Sequence, residues 1–108
     1  MIQRADFDKI DAQLDAHAKA KTLNSEAGRA LLDEYYDLMI QYFKDINGIT
    51  EIDITQLDSY AVVPMNFSER YTYIQARKYH FMGYRQIKTL VSELIKQYAA
   101  YRVRHNLN

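Results

Sequence analysis

The side chains best placed to do chemistry are the cations near the C-terminus. On a continuous helix at 100° per residue, Arg70, Arg77, Lys78, Arg85, Lys88, Lys96 and Arg102 gather into a sector of roughly 120°. Only Glu69 and Glu93 offset them locally, and Tyr71, Tyr79, Tyr84 and Tyr101 are interleaved. Lys and Arg contact phosphates and Tyr rings stack on bases, so the stripe carries the chemistry of nucleic-acid or nucleotide-ligand binding. Ile74 and Phe81 fall in the same sector, and a mixed apolar and basic stripe fits an acidic protein partner at least as well. Arg77, Lys78, Tyr79, Tyr84, Arg85 and Lys88 are the candidate binding residues. A structural cause competes with both readings. In it Arg77, Arg85 and Lys88 pair with carboxylates such as Asp8, Asp11 or Asp37 of the same or a neighbouring chain.

Catalytic constellations are missing from the sequence. His17, His80 and His105 stand 63 and 25 residues apart, so no pair shares a helical turn. No acid lies three residues before a His, which excludes the di-iron pattern of helical bundles. There is no His-Glu-x-x-His, no phosphate loop and no Gly-x-Ser-x-Gly, and three glycines cannot build a dinucleotide loop. Without cysteine there is no thiol nucleophile, zinc finger, iron–sulfur cluster or disulfide. Asp8, Asp11 and Asp15 share one helix face, but carboxylates along a single face do not surround a hard cation. They read as a solvated face or as counter-charge to the basic helix. The expectation is a protein that is not an enzyme, with no cofactor and no metal.

These residues must be positioned by a chain of 108 residues, a size that argues for one domain over 1–108. With 48% apolar and 26% charged residues it is built to fold rather than to stay disordered. Its 14 basic and 14 acidic residues cancel overall but are not evenly spread. Residues 1–66 hold 6 Lys+Arg against 12 Asp+Glu, and residues 67–108 hold 8 against 2. No apolar run reaches the length of a membrane span, and Met1-Ile2-Gln3-Arg4 lacks the apolar core of a signal peptide. A cytoplasmic location and no membrane partner are expected.

The periodicity is helical almost throughout. Phe7, Ile10, Leu14 and Ala18 recur every three or four residues, predicting a helix from Asp6, as its cap, to Lys21. A second helix is expected from Ser25 to Ile46. Leu31, Leu32, Tyr35, Tyr36, Leu38, Met39, Tyr42, Phe43 and Ile46 give it an apolar sector of roughly 160°. That breadth marks it as the central helix, and Asn47-Gly48 stops it. Residues 47–65 read as an irregular connector, either a short extended piece at 50–55 or a helical turn within 56–63. Asn66 and Glu69 have capping-box spacing. From there to His105 only Gly83 interrupts a helical pattern with Phe81, Tyr84, Ile87, Val91, Leu94, Tyr98 and Tyr101 on one seam. Gly83 marks a kink or a close crossing, so the helices number three or four.

The expected fold is all-α: a small helical bundle made of an αα-hairpin, the connector, and a long, kinked or straight, C-terminal helix. A last helix about twice the length of the first has apolar surface to spare, which points to self-association. Size, lack of catalytic motifs and ten tyrosines give the chain a general likeness, carried by no motif, to accessory proteins of phages and mobile elements. The function expected is binding: a homo-oligomer that engages a macromolecular partner, a protein, through its basic, Tyr-rich C-terminal helix. The alternative is a nucleic-acid or nucleotide-ligand binding protein.

Overall fold

Phe7, Ile10 and Leu14 all turn inward from α1 (Arg4–Lys19), as their spacing requires. The computed structural model describes residues 1–106, and its remaining α-helices are α2 (Glu26–Asn47), α3 (Phe67–Arg77) and α4 (Phe81–Arg104). The fold is an all-α bundle, with no strand among the described residues. None of the helices is long and apolar enough to cross a membrane.

Local chemistry fixes the helix ends. The start of α1 lies two residues earlier than expected. Asp6 is not its cap but sits in its first turn, where the carboxylate accepts a hydrogen bond from the Gln3 N–H at 2.8 Å. At the other end Lys21 adopts φ 59°, the Lys21 N–H donates to Ala18 O and the Thr22 N–H donates to His17 O. That paired closure satisfies the last carbonyls and turns the chain. Ser25 Oγ caps α2 through the Gly28 N–H at 3.1 Å, and Gly48 ends it at φ 64°.

In α2 the side chains of Leu32, Tyr35, Met39, Tyr42, Phe43 and Ile46 are buried, while Leu31, Tyr36 and Leu38 are half-buried. α2 is central as expected, packing on α1 and α4 and meeting α3 through Phe43 and Phe67, and α4 is equally so, since it packs on α1, α2 and α3. Tyr84, Ile87, Leu90, Val91 and Leu94 form its inner face. The tyrosines fill the core and its rim: three are buried, seven half-buried and none exposed.

The connector holds a 3-10 helix at Ile54–Ser59 and no extended piece. Its end is tied down by Asn47, whose side-chain amide donates to Val62 O at 3.0 Å and accepts from the Val62 N–H at 2.8 Å. The expected capping box at Asn66 and Glu69 does not form. Asn66 instead takes φ 57°, a left-handed conformation that asparagine tolerates, and its side chain caps nothing.

The single long C-terminal helix is also corrected. The chain breaks at residues 78–80, ahead of Gly83, and α3 folds back along α4. Gly83 is buried beneath the break, where an added Cβ would stand 1.8 Å from Arg77 O. The glycine admits a close crossing of two helices. Phe67 and Ile74 of α3 are buried, with Phe67 stacked on Phe43 at 4.5 Å. Excess apolar length is thus covered within one chain, and the length argument for self-association lapses.

Candidate functional site

The break divides the cationic stripe. Arg70, Arg77 and Lys78 belong to α3 and its end, while Arg85, Lys88, Lys96 and Arg102 lie on α4. One helical wheel no longer relates the two sets. The six candidate binding residues fall into two inward-facing clusters and a pair of exposed arginines.

In the first cluster Lys78 and Tyr79 converge on Asp33 of α2. Lys78 Nζ lies 2.8 Å from Asp33 Oδ1, and the Tyr79 hydroxyl donates to the same oxygen at 2.6 Å. These two donors hold the Asp33 carboxyl below its ordinary range. Burial works against the Lys78 ammonium, but Asp33 outweighs it and Lys78 is held above its ordinary value. Arg29 sits over the Tyr79 ring, 4.4 Å from its centroid.

In the second cluster Tyr84 and Lys88 of α4 meet Asp15 of α1. Tyr84 is only 2% exposed; its hydroxyl donates to Asp15 Oδ1, and Lys88 Nζ lies 2.9 Å from the same atom. Hydrogen bonds from Tyr84 and then Lys88 hold Asp15 below its ordinary value. Beside it, Asp11 Oδ1 and the Tyr35 hydroxyl are shut off from solvent without a well-formed hydrogen bond. They remain close enough to couple electrically. Burial raises the Asp11 carboxyl, while Tyr35 and then Lys88 oppose the rise, and Asp15 and Asp8 add to it. The partner of Lys88 is therefore Asp15, not Asp8, Asp11 or Asp37. No group of three or more His, Asp or Glu among the described residues is arranged to hold a metal ion.

The two aspartates have opposite linkage to pH. Asp15, depressed, adds stability that is present above its unfolded value and lost as pH falls through the folded one. Asp11, raised from 3.8, costs stability once pH exceeds that range, because its charge is poorly solvated. Asp11→Asn is therefore expected to raise the melting temperature at pH 7 and to leave it unchanged at about pH 3. Asp15→Asn is expected to lower it at pH 7, with the loss fading in acid. Thermal denaturation by circular dichroism at both pH values checks this, and a destabilised Asp11→Asn at neutral pH contradicts it.

Arg77 and Arg85 remain exposed and make no ion pair among the described residues. They flank the α3–α4 corner. Phe81 and Met82 protrude there, 49% and 56% exposed. The Arg85 guanidinium lies 5.8 Å from the Phe81 ring centroid. The histidines stand apart from one another: His17 bonds Thr22 Oγ1 at 2.8 Å, His80 precedes α4, and His105 packs on Tyr101.

Sequence reasoning missed the other side of this corner. Lys21, Leu23 and Asn24 of the α1–α2 turn and Arg29 of α2 face Lys78, Tyr79 and Phe81 across a groove of about 860 Å³. The signal was Gly28, placed in the first turn of a helix where glycine is disfavoured. A Cβ there would lie 2.4 Å from Leu23 O, so the glycine lets the turn close onto α2.

No curated protein and no solved structure matches the chain. A family model described as YpoC-like protein matches residues 4–106, a span that begins with α1 and runs past the end of α4. The chain that builds this four-helix arrangement belongs to the YpoC-like protein family.

Proposed function

We propose that this protein is a non-enzymatic binding protein that engages an acidic protein partner through its α3–α4 corner. One observation carries the reading: two unpaired guanidiniums, Arg77 and Arg85, flank two protruding apolar side chains, Phe81 and Met82. An apolar centre edged by arginine is the composition of an interface hot spot. Of the other cations of the stripe, Lys78 is engaged with Asp33, Lys88 with Asp15 and Arg70 with Glu93, while Lys96 and Arg102 are exposed further along α4. The active surface is accordingly narrower than the whole C-terminal helix.

The test is the double reversal Arg77→Glu with Arg85→Glu. Exposed arginines without ion pairs hold little folding energy, so circular dichroism and solution mass are expected to match the parent protein. Capture of acidic proteins from the native host is expected to be lost. A mutant that unfolds, changes mass or still captures the same proteins refutes the reading. A change of mass with folding intact would make a second copy of this chain the occupant of the corner.

A further inference from the structure

The groove beside the corner has the build of a ligand site. Its volume of about 860 Å³ lies in the range of small-molecule pockets, roughly 300–1,000 Å³. Both walls are drawn in by close backbone packing, at Gly28 under the α1–α2 turn and at Gly83 under the α3–α4 turn. Two of the chain's three glycines thus serve the two walls of one groove.

Its lining is chemically two-sided. Leu23, Phe81 and the Tyr79 ring supply apolar and aromatic surface. Lys21 and Arg29 supply charge, and neither makes an ion pair among the described residues. No carboxylate lines the groove. Asp33, behind the lining residues Lys78 and Tyr79, is occupied by both of them. With its hydroxyl bonded to Asp33, Tyr79 is fixed in the wall and holds the Arg29 guanidinium over its face. Asn24 and Gln75 add side-chain amides, each both donor and acceptor.

A flat aromatic ring, a hydrogen-bonding edge and a phosphate are the features that match such a lining. We infer that this groove binds a nucleoside phosphate. Lys21 and Arg29 hold the phosphate, the base lies against the exposed Phe81 ring, and an Asn24 or Gln75 amide meets its edge. This site goes beyond the corner proposed above and uses different cations. The same chemistry is presented by a free nucleotide and by the exposed end of a single strand.

Isothermal titration of the full chain separates these cases. The probes are AMP, GMP, CMP and UMP, the matching nucleosides, inorganic phosphate and a short single-stranded oligonucleotide. At least one monophosphate is expected to bind, with its nucleoside and inorganic phosphate each weaker by about tenfold or more, as loss of a charge-assisted contact implies. Affinity is expected to fall as salt rises. Lys21→Gln with Arg29→Gln is expected to weaken the monophosphate by about tenfold or more while circular dichroism stays unchanged. Arg77→Glu with Arg85→Glu is expected to leave it bound, so that failure here and failure at the corner are told apart. An oligonucleotide well above the monophosphate in affinity identifies the strand end as the source, and parity identifies the free nucleotide. The inference is overturned if no monophosphate binds at millimolar concentration, if nucleoside or phosphate alone binds as well, or if the Lys21/Arg29 variant binds unchanged. If that variant loses its fold, Asn24→Ala with Gln75→Ala replaces it: reduced affinity for the monophosphate is then expected, and unchanged affinity for every base overturns the assignment.

Discussion

Gly83→Ala is expected to destabilise the protein by about 2–3 kcal/mol, which for a chain of this size is a fall in melting temperature of roughly 8–20 °C. The added methyl would meet Arg77 O at 1.8 Å and Arg77 C at 2.6 Å, both backbone atoms that no rotamer can move aside. The end of α3 would have to retreat from the first turn of α4. Alanine recovers about 1 kcal/mol of helix propensity, and the expected figure is net of that gain. The sign of the result is diagnostic. Were α3 and α4 one continuous helix, Gly83 would sit in its interior and alanine would stabilise it by about 1 kcal/mol. A melting temperature that rises, or stays level, therefore refutes the folded-back arrangement. Gly48→Ala is the control. Gly48 takes φ 64° with nothing within 4 Å of an added Cβ, so its cost is left-handed backbone strain of about 1–2 kcal/mol.

The same glycine shows where the sequence could be read and where it could not. The spacing of Phe7, Ile10 and Leu14, the Ser25 cap and the Asn47-Gly48 stop are local signals, and α1 and α2 follow them within two residues. The turn at residues 78–80 has no such signal. Lys78, Tyr79 and His80 are compatible with a helix interior, and the break is imposed by packing between Arg77 and Gly83. Gly83 was the visible mark of a break that lies ahead of it. A helical wheel carried across that break put seven cations on one face, although the change of helix destroys its phase. Asn47 is a second example: its role as a helix stop is local, but its bonds to Val62 span 15 residues. The groove was least legible, because Lys21 comes from the α1–α2 turn, Arg29 from the start of α2 and Lys78 and Tyr79 from the α3–α4 turn.

The charge asymmetry between the two parts of the chain also has a physical use. Lys78–Asp33 and Lys88–Asp15 join the basic C-terminal part to the acidic N-terminal part within one molecule. Tyr79 and Tyr84 reinforce the same two carboxylates. Both contacts lie at half-exposed positions, where ion pairs set register more than they add stability. Arg77 and Arg85 at the corner and Lys21 and Arg29 in the groove, which make no ion pair among the described residues, lie around one end of the α3–α4 pair.

Arg70→Ala is expected to cost about 2–4 kcal/mol, between the values for exposed and fully buried ion pairs. The Arg70 guanidinium engages both Glu93 oxygens across α3 and α4, and the two side chains are only 16% and 33% exposed. It also donates to Met65 O at 3.1 Å and to Gln86 Oε1 at 3.3 Å, so one side chain ties connector, α3 and α4 together. Removal leaves the Glu93 carboxylate two-thirds buried without its partner, and most of the loss arises there. Glu93→Leu alone leaves the cation stranded and is expected to cost nearly as much. Arg70→Met with Glu93→Leu removes both charges and keeps the apolar volume, so it is expected to recover most of either single loss. Arg70→Lys keeps the charge but cannot match two oxygens at once, and falls between parent and alanine. Urea denaturation of these variants together with Arg70→Met alone closes the cycle. A coupling energy above about 1 kcal/mol is the expected result; additive losses would mean that Arg70 holds α3 through Met65 and Gln86 rather than through Glu93.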